Sequence, residues 1–108
     1  MERARILVTD TNARLKERLD RIRFRAWRRG FREADMVLGP FADQVGPALS
    51  DEELTDFEAL LAQDDDHELY AWILQTLPTP ADYETVVMGR IRDFMRDHVA
   101  HAVAEGIG

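Results

Sequence analysis

The chain has 108 residues, a formal net charge of −7 and no cysteine. This length is enough for one compact domain, which buries roughly two-thirds of its unfolded surface, and too short for two. The lack of cysteine excludes disulfides and thiolate metal sites and fits a reducing compartment. No apolar run approaches the roughly 20 residues of a membrane span, and no secretory signal pattern occurs. We therefore expect a cytoplasmic protein without membrane insertion.

The charges are distributed unevenly along the chain. Eleven of the fourteen basic residues lie between Arg3 and Arg32, whereas no Lys or Arg occurs from Met36 to Gly89. We therefore expect a basic end and an acidic end, and such a field can steer a partner of complementary charge. The overall negative sign disfavours nucleic acid as a partner and leaves the basic end as the one place that could bind it.

A first helix is predicted from about residue 12 to residue 29, because apolar residues recur there at the spacing of one helix face. These residues are Leu15, Leu19, Ile22 and Ala26. Gly30 follows as the left-handed C′ residue that ends the helix. Residues 1–11 are expected to form a flexible N-terminal segment.

The next two helices are predicted from residues that typically begin or interrupt a helix. The second begins at Phe31 or Arg32 and is expected to be bent or interrupted at Gly39-Pro40. The third begins with a capping box, in which Ser50 is the N-cap and Glu53 occupies position N3. Its apolar stripe consists of Leu54, Phe57, Leu60 and Leu61.

Two further helices complete the chain. The acidic residues 64–66 supply an N-cap for a short fourth helix that ends at Pro78. The fifth is predicted to begin at Thr79, with Pro80 at position N1, and to end in a frayed tail over residues 105–108. Its stripe consists of Tyr83, Val87, Ile91, Phe94 and His98. The sequence thus predicts one all-α domain over residues 1–108, a small five-helix bundle.

Few residues offer the chemistry of an enzyme or a metal site. His98 and His101 have a spacing that suits one metal ion, but two ligands are too few, and a charge role near the helix C-terminus is the better interpretation. The acids at 64–66 lack the spaced ligands of a calcium loop and are interpreted as helix caps. No nucleophile elbow and no glycine-rich phosphate loop occurs. We therefore expect surface recognition instead of catalysis.

The most unusual segment joins the first two helices. Residues 28–35, Arg28-Arg29-Gly30-Phe31-Arg32-Glu33-Ala34-Asp35, combine cations, carboxylates and one glycine. Helix-end electrostatics explains part of this pattern, because cations favour a helix C-terminus and acids an N-terminus. It does not explain Phe24 and Trp27, which the helical period places away from the apolar face. These aromatic residues either pack under a neighbouring helix or are exposed beside arginines, as in a protein-binding hot spot.

Two blocks of sequence, which together span residues 21–74, resemble a known family. The first block is Arg23-Phe24-Arg25-x-Trp27-x-Arg29-Gly30-x-Arg32-Glu33-x-Asp35, followed by Leu38-Gly39-Pro40-Phe41-Ala42-Asp43. The second is Leu54-Thr55-Asp56-Phe57-Glu58-Ala59-Leu60-Leu61, followed by Asp66-x-x-Leu69-Tyr70-Ala71-Trp72. In order and spacing they resemble the succinate dehydrogenase FAD assembly factors, the flavinylation factors, in their bacterial form. Ala34 departs from the larger apolar residue usual there, and the similarity fades in the fifth helix.

The resemblance implies a five-helix bundle that acts as an assembly chaperone. Such a factor binds the flavoprotein subunit of succinate dehydrogenase, and by extension that of fumarate reductase, and promotes the covalent attachment of FAD. The client forms the bond, so the factor is not an enzyme, holds no cofactor stably and is expected to be a monomer when free. The family contacts its client through an Arg-Gly-x-x-Glu surface. The partner-binding residues predicted here are Phe24, Trp27, Arg29, Gly30, Arg32, Glu33 and Asp35.

The sequence also fits a second function, from a different class. Members of this fold family have been labelled antitoxins, and the first helix alternates arginines with aromatic residues, as some nucleic-acid binders do. The alternative function is therefore an antitoxin-like or nucleic-acid-binding regulatory module that uses the first helix.

Overall fold

The computed structural model describes the backbone of residues 2–104 and the side chains of residues 12–98. The described backbone contains five α-helices, two short 3-10 turns and no strand. The helices are α1 (Glu2–Trp27), α2 (Arg32–Gln44), α3 (Asp51–Leu61), α4 (Asp66–Leu74) and α5 (Val86–Ala104). The prediction of an all-α five-helix bundle is confirmed.

The predicted start of α1 near Asn12 is wrong, because the helix already begins at Glu2. No glycine or proline occurs between Glu2 and Trp27, and an acid at the first position suits the helix dipole. Nothing in the sequence therefore prevents α1 from beginning at Glu2. The flexibility expected for residues 1–11 stays a prediction, and the tail at residues 105–108 lies outside the described residues.

Gly30 adopts the predicted left-handed conformation, with φ +85°. It is not the C′ residue of α1, however, because the helix ends at Trp27 and Arg28 and Arg29 already leave the helical path. Gly30 instead lies in the middle of the short connection to α2, where its positive φ turns the chain.

The helix α2 continues through Pro40, so the predicted interruption at Gly39-Pro40 is wrong. A proline inside a helix removes one backbone hydrogen bond. The buried side chains of Leu38, Phe41 and Ala42 flank Pro40 and offset this loss by packing into the core.

The capping box predicted for α3 is confirmed. The hydroxyl of Ser50 accepts a hydrogen bond from the Glu53 amide at 3.1 Å, and Glu53 Oε1 accepts one from the Ser50 amide at 2.8 Å. The hydrogen bond from the Ser50 backbone, followed by that from Arg90, lowers the pKa of the Glu53 carboxyl.

The acidic run caps α4 as predicted, because Asp65 Oδ1 accepts a hydrogen bond from the Glu68 amide at 3.0 Å. Two other predicted boundaries are wrong. The helix α4 ends at Leu74, ahead of Pro78, and Gln75 follows it with φ 61°. The segment from Thr79 forms a 3-10 turn, Ala81–Tyr83, and α5 begins only at Val86.

The N-cap of α5 is a different threonine from the one predicted. Thr85 Oγ1 accepts a hydrogen bond from the Met88 amide at 3.2 Å. Thr79 instead accepts a hydrogen bond from Arg92 at 2.9 Å, which holds the connection between α4 and α5 against α5.

The core lies where all five helices meet. The ring of Phe41 contacts Phe57 edge-on at a centroid distance of 5.4 Å and Phe94 at 5.6 Å. From α1 this core receives Ile22 and Ala26, both buried. Leu15, which was predicted to share a helix face with Leu19, Ile22 and Ala26, is 41% exposed and does not belong to the buried core. It lies beside an open groove whose other lining side chains are all charged, Arg14, Arg18 and Asp51.

The last residue of α1, Trp27, packs against α2 at Gly39. A Cβ atom built on Gly39 would lie 2.6 Å from Trp27 Cε3, so the indole packs directly on the backbone of α2. Trp27 Nε1 also donates a hydrogen bond to Asp43 Oδ2 at 3.1 Å. The side chain is nevertheless 41% exposed, so Trp27 both packs against α2 and reaches the surface.

We expect Gly39→Ala to lower the free energy of unfolding by about 1 to 3 kcal/mol, the usual cost of overpacking, because the methyl group displaces the indole. Gly89→Ala is the matched control, since a Cβ atom there meets no atom within 4 Å. The better helix propensity of alanine should make that variant more stable by up to about 1 kcal/mol. Urea unfolding followed by circular dichroism measures both. Equal changes in stability would contradict the packing of Trp27 on Gly39.

Candidate functional site

The corner, defined as residues 28–35 between α1 and the first turn of α2, holds most of the predicted partner-binding residues. Gly30 lies at its surface, and a Cβ atom built there meets no atom within 4 Å. The backbone of Gly30 therefore faces open space. The surrounding space is lined by Phe31 and by residues 64–67.

Arg29 is held inside the protein by three acceptors. Its guanidinium donates hydrogen bonds to the carbonyl oxygens of Leu61 and Gln63, at the C-terminal end of α3. It also pairs with Asp66 Oδ1 at 2.7 Å. The side chain of Arg29 is 11% exposed and that of Asp66 is 19% exposed. A guanidinium suits this place because its planar fork donates in several directions and its charge complements a helix C-terminus.

Asp35 also makes an internal contact. Its Oδ1 accepts a hydrogen bond from the backbone N–H of Arg29 at 2.7 Å, which ties the connecting loop to the first turn of α2. Arg29 and Asp35 therefore fix the shape of the corner. A contact of either residue with a partner stays a prediction.

Arg32 and Glu33 lie beside Gly30 and are exposed. No described residue forms an ion pair with either side chain. Both charges are therefore available to another molecule. Together with Gly30 they form the outward-facing part of the corner.

The two aromatic candidates differ in their surroundings. Phe24 is 60% exposed, and the Cζ atom of Arg28 lies 4.2 Å from the centroid of its ring. Trp27 is packed on Gly39, as described above. Of the two aromatic residues, Phe24 therefore offers the larger share of its side chain to solvent.

Sequence reasoning missed two residues that shape the corner. Asp66, interpreted as part of a helix cap, is the partner of Arg29. Phe31 packs against α4, with its ring centroid 4.3 Å from that of His67 and 5.4 Å from that of Tyr70. The only signal for Asp66 was its place in the second block of the resemblance.

The histidines and the acidic run at residues 64–66 were also considered as metal ligands in the sequence analysis. Among the described residues, no three His, Asp or Glu side chains are placed to hold a metal ion. The ring of His98 stacks on Phe94 at a centroid distance of 5.9 Å, and the side chain of His101 lies outside the described part. None of the described helices has the length and apolar character needed to cross a bilayer.

A model of the family described as Sdh5, flavinator of succinate dehydrogenase, matches residues 20–95 of this chain. The matched region includes the corner, both blocks of sequence and most of α5. The chain belongs to the Sdh5 family. The resemblance found in the sequence is thereby confirmed, and the match ends at residue 95, inside α5, the helix in which the similarity was expected to fade.

Named relatives of this Sdh5-family chain agree with the match. The FAD assembly factor SdhE of Acetobacter pasteurianus is 36% identical over 77 residues, which cover 71% of this chain and 70% of the relative. The mitochondrial succinate dehydrogenase assembly factor 2-A of Drosophila erecta is 28% identical over 87 residues, 80% of this chain and 54% of the relative. The assembly factor 2-A of Drosophila persimilis is 28% identical over 92 residues, which cover 84% of this chain and 55% of the relative. The chain spans about half the length of these mitochondrial relatives.

We expect Asp66→Asn to lower the free energy of unfolding by roughly 1.5 to 3 kcal/mol, the range for hydrogen bonds to charged groups, because Arg29 loses its counter-charge in a largely buried place. Asp64→Asn is the matched control, because it makes the same change of charge at an exposed residue of the same loop. Chemical denaturation of both variants measures the difference. A loss of the same size in the two variants would mean that the pair with Arg29 contributes nothing specific.

Proposed function

We propose that this chain is an assembly chaperone that binds the flavoprotein subunit of succinate dehydrogenase and promotes covalent attachment of FAD to it. Membership of the Sdh5 family and the names of the relatives support this function. The observation that carries it is the open backbone of Gly30, followed two and three residues later by the exposed charges of Arg32 and Glu33. A backbone without a side chain permits close approach, and the two charges offer charge-assisted hydrogen bonds.

In this proposal the corner has an anchoring part and a contacting part. Arg29 and Asp35 hold the loop from within, while Gly30, Arg32 and Glu33 face the client. A loop already fixed in its bound shape loses little conformational freedom on binding, which favours affinity. Arg29 and Asp35 would then act on the client mainly through the shape of the loop.

The chemical role proposed for the chain is to position the client. The new bond joins a histidine of the client to the flavin, so this chain supplies no reacting group. Holding the client in one arrangement raises the population of the geometry in which histidine and flavin can react. We therefore propose that the chain is not an enzyme and that FAD remains the cofactor of the client.

Three further expectations belong to the same proposal. The free chain is a monomer, it acts in the cytoplasm, and the flavoprotein of fumarate reductase is a further client. The nucleic-acid alternative has less support, because the family and its relatives are named for succinate dehydrogenase and FAD assembly.

We expect Gly30→Arg to abolish FAD attachment to the client, because the long side chain projects into the space that the client must enter. Gly30→Ala is the matched control: it carries the same backbone strain, about 1 to 2 kcal/mol for a side chain in the left-handed region, but adds only a methyl group. Neither variant meets an internal obstacle at Cβ, since no atom lies within 4 Å. Each is co-expressed with the client, and in-gel flavin fluorescence of the denatured flavoprotein measures attachment.

The expected result is no fluorescence with Gly30→Arg and substantial fluorescence with Gly30→Ala. Circular dichroism of the purified variants establishes that both are folded. Undiminished flavin attachment with a folded Gly30→Arg protein would contradict the role of the Gly30 surface.

A further inference from the structure

One face of the C-terminal half of α1 carries arginines around an exposed phenylalanine. Arg21, Phe24 and Arg25 follow the spacing i, i+3, i+4 on the surface of α1, and Arg28, just beyond the end of the helix, lies against the ring of Phe24. All four are exposed. We call this set the arginine stripe. It covers two helical turns, about 10 Å along the helix axis.

The arginines of the stripe have no carboxylate partner among the described residues. Six other arginines of the described part each form an ion pair, namely Arg18, Arg23, Arg29, Arg90, Arg92 and Arg96. Within the stripe, the contact of Arg28 is with the ring of Phe24. Arg21 and Arg25 are like charges at i, i+4, a spacing that destabilises a helix. The stripe therefore has unused binding capacity in the free chain.

A shallow groove connects the stripe to the corner. Phe24, Arg25 and Arg28 line one side of it, and residues 61–64 line the other. Arg29, the anchor of the corner, also borders this groove. A partner that covers Gly30 is therefore close enough to extend along the groove onto the stripe.

Resting on the function proposed above, we propose that the arginine stripe binds an acidic surface segment of the flavoprotein client. Three guanidinium groups within two turns suit a cluster of carboxylates, because arginine pairs with a carboxylate through two parallel hydrogen bonds. Phe24 supplies an apolar anchor between them, and an exposed aromatic residue flanked by arginines is the composition of a binding hot spot. The stripe enlarges the interface that the corner begins.

The charge distribution favours an acidic protein segment over nucleic acid. The chain as a whole carries −7, so a long polyanion that extends beyond the stripe meets repulsion. A short acidic segment of a folded protein can pair with the arginines without extending over the rest of this negatively charged chain.

The test compares the affinities of folded variants for the apo flavoprotein subunit by isothermal titration calorimetry at low and high salt. Arg25→Glu reverses a charge of the stripe, and Lys16→Glu makes the same change on a different face of the same helix. We expect Arg25→Glu to weaken binding at least about tenfold at low salt and less at high salt, because salt screens exposed charges. Lys16→Glu should change the affinity by less than about twofold, since a charge outside an interface contributes little.

Phe24→Ala should weaken binding by a factor that does not depend on salt, because its contact is apolar. Should Arg25→Glu fail to fold, Arg28→Gln removes a charge of the stripe without reversing it and takes its place in the comparison.

Three results would overturn the proposal, and each has a different consequence for the proposed function. If Arg25→Glu binds like Lys16→Glu while Gly30→Arg has lost binding, the stripe is not part of the interface and the proposed function stands. If the unmodified chain does not bind the flavoprotein at all, both fail. If it binds duplex DNA more tightly than the flavoprotein and Arg25→Glu removes that binding, the stripe is a nucleic-acid surface.

Discussion

Arg29 connects two parts of the bundle that are distant in sequence. Its guanidinium binds the carbonyl oxygens at the end of α3 and the carboxylate of Asp66 at the start of α4. Its backbone N–H binds Asp35 in α2. A guanidinium this far from solvent needs its acceptors, because an unpaired buried charge is strongly unfavourable. Moving the corner away from the α3–α4 connection would separate the charge from all of them, so these contacts determine the geometry of the corner.

The exposed surface depends on this anchoring. Gly30 directly follows Arg29, and its positive φ presents the backbone outward with no side chain in front of it. Phe31 closes the other side of the loop by packing on His67 and Tyr70 of α4. Because both neighbours of Gly30 are held by the α3–α4 region, the glycine is displayed on a fixed support. An assembly factor that orders its client benefits from such a support, since fewer groups must be ordered on binding.

The sequence predicted those features whose causes are local. The capping box of Ser50 and Glu53, the Asp65 cap and the positive φ of Gly30 each depend on a few neighbouring residues. The predicted start of α5 at Thr79 was wrong, and Thr79 instead accepts a hydrogen bond from Arg92, a residue inside α5. The pair of Arg29 and Asp66 is separated by 37 residues, and each already had a local explanation at a helix end. Tertiary contacts of this kind leave no periodic signal in one sequence.

The central claim is that Arg29 acts from within the chain while Gly30 meets the client. The most direct measurement is a structure of the complex with the flavoprotein subunit, at a resolution that places side chains. The account predicts that Arg29 still binds Asp66 and the α3 carbonyl oxygens there, with the flavoprotein lying against the Gly30 backbone. A complex in which the Arg29 guanidinium has left Asp66 to contact the flavoprotein would contradict it.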